Sequence, residues 1–313
     1  SSFIAAGSAY ATQGINTIPF FIYYSMFGMQ RIGDLVWLAG DMRVKGFMIG
    51  GTAGRTTLNG EGLQHEDGQS HLLAYPVPNL EAYDPAFGYE IAVIVREGIR
   101  RMYVEQEDIF YYMTVENDPY RMPEMPDGVE EGILKGMYKF KASAKKRAKL
   151  KANLFGSGAI MNSALEAQKI LEEDYKVSAD VWSITSYKAL HRDCLDAERW
   201  NRMHPGGKTR LSYLERCLEK ESGVYVMASD YVKALPESIA RWFPNPPVAL
   251  GTDGFGRSES REALRDHFEV DARFIVLGAL DTLAREGDVD VAVVKKAMKD
   301  LKINPEKANP AYL

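Results

Sequence analysis

The sequence predicts an α/β protein built from two parallel-sheet domains. Apolar, strand-like runs alternate with amphipathic helical stretches along the 313 residues. The alternation is interrupted by one segment, "NDPYRMPEMPDGVE" at 117–130, which holds three prolines and a glycine and reads as a linker. A chain of this length also suits two domains better than one. The expected division is 1–125 and 126–313, with one α/β layer over 1–116 and a second from about residue 130.

Residues 1–12, "SSFIAAGSAYAT", are small and apolar and predict one tightly packed helix. "IPFFIYYS" at 18–25 is an unbroken apolar and aromatic run, the pattern of a central parallel strand buried on both faces. "MQRIGDLVWLAGDM" has helical spacing through Ile32, Leu35, Val36 and Leu38. "GFMIGGT" is the next buried strand, "NLEAYDPA" a short one, "GYEIAVIVREGIRRMY" a helix and "IFYYMTV" a strand. Beyond the linker, the basic run "KASAKKRAKLK" reads as a solvated hairpin leading into strand "KANLFGSG". Helix to Asp174, strand "SADVWSITS", strand "SGVYVMASDY", helix "VKALPESIARW", strand "PVALGTDGFG" and the helices at 260–268 and 271–287 complete the second unit.

Gly156-Ser157-Gly158 opens like a dinucleotide fingerprint, but Met161 stands where the third glycine belongs, so the turn reads as a strand–helix packing device. The formal net charge of −5 argues against a nucleic-acid surface. Cys194 and Cys217 fit reduced cytoplasmic thiols better than a disulfide or zinc framework. No charged residue precedes Arg31, yet Gly7, Gly14, Asn16 and Pro19 break the stretch, so neither a signal peptide nor a membrane span is expected there. The absence of an initiator methionine suggests the tail piece of a longer chain.

The candidate site is "NGEGLQHEDGQSH", Asn59 to His71, which holds two of the five histidines with one Asp, two Glu and three Gly. Such a segment is a loop. In an open parallel sheet, ligands bind beyond the carboxyl ends of the strands. The loop after the first strand and this loop after the second should therefore lie side by side. The first offers the aromatic faces of Tyr24 and Phe27, the second His65, His71, Glu66 and Asp67. An aromatic slot beside two histidines suits a planar heterocycle and proton transfer, although such aromatic pairs also fill cores. The His-x-Asp-x-x-x-His spacing invites a metal reading, but no helix is expected to preset that geometry and no metal ligand is assigned.

"PFFIYYSMFGMQRIGDLVWLAGD", "GGTAGRTTLNGEGLQHEDGQSH" and "LGTDGFGRSESREALRDHFEVDA" closely resemble the homodimeric, bacterial-type pyruvate dehydrogenase family of the transketolase-like superfamily. The resemblance covers the whole chain and implies transketolase-like domains, a partial pyrimidine-binding domain followed by a C-terminal domain. It implies thiamine diphosphate with Mg2+, pyruvate as substrate, and decarboxylation followed by reductive acetylation of a lipoyl group. The implied partners are a second copy and the lipoyl domain of dihydrolipoamide acetyltransferase, with no nucleic acid and no membrane. Tyr24, Phe27 and Arg31 match the aminopyrimidine pocket, and His65 and His71 the active-site histidines. The family's Gly-Asp-Gly…Asn motif for magnesium and diphosphate is absent here, and its catalytic Glu is expected just before the position matching Ser1. The resemblance therefore implies a piece inactive alone. A non-catalytic dimerising fragment, a related 2-oxo acid dehydrogenase and a transketolase are the alternatives.

Overall fold

The computed structural model describes residues 1–145 and 148–313. The opening stretch forms two short helices, α1 (Ser2–Gly7) and α2 (Ala9–Gln13), instead of the single expected one. A Cβ on Gly7 would lie 2.4 Å from the Lys45 carbonyl oxygen, so the first helix ends in backbone-to-backbone contact that only glycine permits.

The first sheet contains β1 (Phe20–Tyr24), β2 (Phe47–Gly51), β3 (Leu80–Tyr83) and β4 (Phe110–Thr114). Its order is β1-β2-β4-β3 and every pair is parallel. The connections carry α3 (Met29–Asp41), α4 (Ser70–Ala74) and α5 (Gly88–Ile99). Tyr24 stands opposite Gly51, and Gly50 opposite Thr114, so β1, β2 and β4 end at one level.

β1 corrects an expectation. It is an edge strand, not a central one, and Ile22 is 71% and Phe20 49% exposed. β4, whose five residues are all buried, takes the central place beside β2. An apolar run marks a strand whose faces must be covered, but it does not say by which chain. Here the edge and the first helices leave Tyr10, Ile15, Ile18, Phe21 and Tyr24 open as well.

After α6 (Glu130–Lys135), the second sheet comprises β5 (Met137–Lys141), β6 (Lys151–Gly156), β7 (Ser178–Ile184), β8 (Val224–Ala228) and β9 (Val248–Leu250). Its order is β5-β7-β6-β8-β9, parallel except for β5, which runs antiparallel to β7. The expected hairpin at 141–151 does not form between its flanks, because β7 separates β5 from β6. Lys146 and Arg147 of that run lie outside the described residues.

α7 (Ile160–Asp174), α8 (Tyr187–Met203), α9 (Tyr213–Leu218), α10 (Ala234–Glu237), α11 (Arg261–His267), α12 (Ala272–Arg285) and α13 (Val291–Asp300) complete the unit. Leu154, Val181 and Val226 of the strands share one core with Ala164 of α7 and with Ile275, Val276 and Ala279 of α12. The helix expected over 232–242 is broken into α10 and a 3-10 turn at Ala240–Trp242. Pro236 lacks an N–H, and the Ser238 hydroxyl donates to the Leu235 carbonyl at 2.6 Å, competing with the helix ladder. At the glycine turn after β6, the Glu116 carboxylate accepts the Ala159 N–H at 2.5 Å. A side chain of the protein thus occupies the helix start where a fingerprint would seat a phosphate.

Buried polar contacts join the two sheets. Asp84 N–H donates to the Thr185 carbonyl at 2.7 Å, and Ser186 Oγ donates to the Ala82 carbonyl at 2.6 Å. Glu90, fully buried, accepts Tyr138 Oη–H and Ser183 Oγ–H, both at 2.7 Å. Lys188 of α8 reaches the Ala74 and Val77 carbonyls at 2.7 and 2.6 Å. Among the described residues no helix is long and apolar enough to cross a membrane.

Candidate functional site

The residues singled out in the sequence fall into two groups at the carboxyl edge of the first sheet. Tyr24 ends β1, and a 3-10 turn at Ser25–Phe27 carries the chain outward. Gly28 lets that turn close, since a Cβ there would sit 1.9 Å from the Tyr23 ring. The His65 ring lies 5.6 Å from Tyr24 and 5.0 Å from Phe27, and the two aromatic rings are 5.8 Å apart. The Arg31 guanidinium carbon stands 4.2 Å above the Phe27 ring. The two loops are therefore adjacent, and Tyr24, Phe27, Arg31 and His65 form one cluster. His65 keeps 20% of its side chain exposed, with Nδ1 3.8 Å from a Glu61 carboxylate oxygen.

His71 belongs to the second group. It lies on α4 and is only 5% exposed, which corrects its expected place in an open loop. Just before the helix, Asp67 Oδ1 accepts the N–H groups of Gln69 and Ser70 at 3.1 and 3.0 Å. The same oxygen accepts Gln30 Nε2–H at 2.7 Å, tying the loop to α3. The His71 ring packs 4.8 Å from Tyr231 and 5.3 Å from Tyr112, and its Nε2 is 2.9 Å from Thr114 Oγ1. Burial pushes the imidazole down to about 4 against the opposing pull of Asp67, so His71 is neutral at physiological pH.

Glu66, already singled out in the sequence, and several residues that the sequence reading left out brace these groups. Arg55, 5% exposed, donates from Nη1 to the Gly254 carbonyl at 2.6 Å and to the Thr252 carbonyl, and from Nη2 to Gln69 Oε1 at 2.9 Å. Asp230 accepts Thr56 N–H at 2.8 Å and Thr57 Oγ–H at 2.6 Å. Glu66 accepts Arg257 N–H at 2.6 Å, and burial raises its carboxyl to about 8, opposed by that bond and by Arg55. Val232 N–H donates to the Gly68 carbonyl at 2.8 Å. The second sheet's loops thus hold the first sheet's histidine loop from outside. The buried Arg55 in "GGTAGRTT" was the available signal, since a charged residue inside a Gly-rich strand exit has to be paired. Among the described residues no group of three or more His, Cys, Asp or Glu is placed to hold a metal ion.

The solved structures show the fold first. The fold matches transketolase from Campylobacter jejuni with a TM-score of 0.66 at 19% identity, over 89% of this chain and 38% of that one. It also matches a "split gene transketolase, inactive beta4 tetramer" with a TM-score of 0.64 at 17% identity, over 90% of this chain and 81% of that one. The fold is transketolase-like. In sequence, residues 1–123 match the family described as "Pyruvate dehydrogenase E1 component middle domain", and residues 136–271 the "Transketolase-like TK C-terminal domain". The chain is 55% identical to the pyruvate dehydrogenase E1 component of Pseudomonas aeruginosa and 50% identical to that of Escherichia coli, over 99% of its own length in both cases. It is a homologue of pyruvate dehydrogenase E1 components, and it spans 35% of the length of these two relatives.

Proposed function

We propose that this chain forms the aminopyrimidine side of a thiamine-diphosphate site in a pyruvate-decarboxylating component. The carrying observation is the Tyr24–Phe27–His65 cluster at the carboxyl edge of the first sheet, clamped by Arg55 and Asp230. The residues fit a flat heterocycle. Tyr24 is 46% exposed, and the Ser25 hydroxyl and, at the start of α3, Gln30 Oε1 are buried without hydrogen-bond partners among the described residues. Aromatic faces bind such a ring at low entropic cost. Bound there, the cofactor supplies an electron sink that lets a 2-oxo acid lose carbon dioxide.

The chain's own side chains do the rest. Tyr24 and Phe27 orient the ring. Arg31 covers one side of Phe27 and leaves a positive charge near the mouth. His65, partly exposed, faces the reacting end and serves as proton donor or acceptor. Magnesium and diphosphate are assigned to the part of the E1 component that this chain does not span. Pyruvate is the substrate, a lipoyl domain of the acyltransferase is the acceptor partner, and the setting is the cytoplasm. The test uses the full-length protein that carries this segment. Pyruvate should release carbon dioxide only when both thiamine diphosphate and Mg2+ are supplied. Turnover of a sugar phosphate in place of pyruvate would overturn the reading in favour of transketolase chemistry.

The open edge of β1 supports a homodimer. Phe20, Phe21, Ile22 and Tyr24, with Leu35, Trp37 and Leu38 of α3, leave large apolar side chains exposed along this edge. A second copy covering them buries at least about 1,200 Å² in total. Light scattering on the purified chain should give a mass above 35.0 kDa. A mass equal to the monomer at every concentration would rule the dimer out.

A further inference from the structure

We infer that Thr114 and Asp84 are positioning residues that hold His71 as its Nε2–H tautomer, leaving Nδ1 as the only free lone pair of the ring. The inference rests on the reading of His71 as part of the active site, and it specifies what His71 can offer a ligand there.

The geometry leaves one consistent arrangement of protons. Thr114 ends β4 and is 1% exposed, while Asp84, just after β3, is 2% exposed. Thr114 Oγ1 has three neighbours: Asp84 Oδ1 at 2.6 Å, His71 Nε2 at 2.9 Å and the Tyr83 carbonyl oxygen at 3.3 Å. A hydroxyl carries one proton. The carbonyl only accepts, and so does an ionised carboxylate. The ionised carboxylate at 2.6 Å takes the hydroxyl proton, since two oxygens that close need a hydrogen between them, and Nε2 then has to donate to Oγ1. Nε2 therefore carries the imidazole hydrogen. Among the described residues, the hydrogen bond of the His71 ring is the one at Nε2, and none reaches Nδ1.

The ionised state of Asp84 sets the range over which this holds. Burial raises its carboxyl to about 6, opposed by hydrogen bonds from Thr114 and Tyr231. Tyr231 Oη is 3.3 Å from Asp84 Oδ1, and Glu116 and Asp67 are the neighbouring acids. At pH 8 the carboxylate is ionised and the arrangement is complete. Below about pH 6 the acid form can donate to Thr114 and release the constraint. A ring fixed this way accepts a proton or hydrogen bond at Nδ1 and offers none there. It cannot donate to a substrate carboxylate from that nitrogen, so steering of a carboxylate falls to His65 and Arg31.

Histidine-selective 15N NMR on the purified chain at pH 8 tests the proposal, with His71→Gln identifying the resonances among the five histidines. In the native chain, Nε2 should show a bound proton and Nδ1 should resonate as an unprotonated ring nitrogen. In Thr114→Val, which keeps the shape and removes the hydroxyl, the tautomer ratio should fall about tenfold, the worth of one buried hydrogen bond. Thr114→Ser should restore it. An Nδ1–H tautomer in the native chain, or an unchanged ratio in folded Thr114→Val, overturns the proposal. If Thr114→Val does not fold, the native tautomer and the Ser variant still decide. None of these readouts needs turnover, so failure of pyruvate decarboxylation in the full-length protein is a separate result.

Discussion

His65→Ala in the full-length protein is expected to lower pyruvate turnover by about 10²–10⁴-fold, the usual worth of a positioned acid–base histidine. The loss should appear mainly in kcat, because a group that meets the reacting atoms is needed most in the transition state. Stability should hardly change. The ring is partly exposed, has long contacts to the Glu61 carbonyl at 3.4 Å and carboxylate at 3.8 Å, and packs against Tyr24 and Phe27. Such ring contacts amount to about 0.5–1.5 kcal/mol. His204 and His267 serve as controls. His204 stacks on Trp200 at 3.8 Å, and His267 lies on α11 against Phe268, so both act locally in the second unit. Equal losses of turnover in His65→Ala and His204→Ala, at equal melting temperature, would remove His65 from the site.

The legible part of this protein was the part written in local pattern. The parallel strands from β2 onward, the helices at 29–41, 88–99, 160–174 and 272–285, and the juxtaposition of the two strand-exit loops follow from apolar period and from where ligands sit in open sheets. The position of β1 was not legible. An apolar run gives the need for cover, and sheet order is decided by which neighbour supplies it. α8 was missed although Tyr187, Leu190, Cys194 and Ala197 mark a buried stripe, because the charged residues between them hide the period.

The split between the two histidines was equally hidden. His65 and His71 look equivalent in the sequence, yet a helix starts between them, after Asp67, and turns His71 into the interior. That outcome depends on Arg55, Asp230 and Val232 gripping the loop across a separation of more than 150 residues, as the Thr56–Asp230 bond illustrates at 174 positions apart. No local window contains such information. It also means that the site's shape is a property of the seam between the sheets, not of the loop alone.

Unfolding of the native chain, relative to Lys188→Met, should become harder by about 2 kcal/mol between pH 7 and pH 9. Lys188 is 3% exposed, and among the described residues its ammonium meets the Ala74 and Val77 carbonyls, at the end of the helix carrying His71 and just beyond it. Burial lowers it from the ordinary value of 10.5 to about 7, helped by Arg192 and opposed by Glu81. Between those two values the unfolded chain binds a proton that the folded chain has already released. The unfolded state then holds more protons, so stability rises with pH, and the gain is complete once pH passes the unfolded value. Glu66 works the other way up to about pH 8, since its raised carboxyl loses stabilisation as it ionises. Subtracting the Met variant cancels that contribution. Lys188→Arg should abolish the same slope while keeping the donors, because a guanidinium does not deprotonate in this range. Urea midpoints at the two pH values measure both differences. A native-minus-Met difference that stays constant from pH 7 to pH 9 would mean that Lys188 keeps its proton despite its burial, and that the two carbonyls hold it as an ammonium.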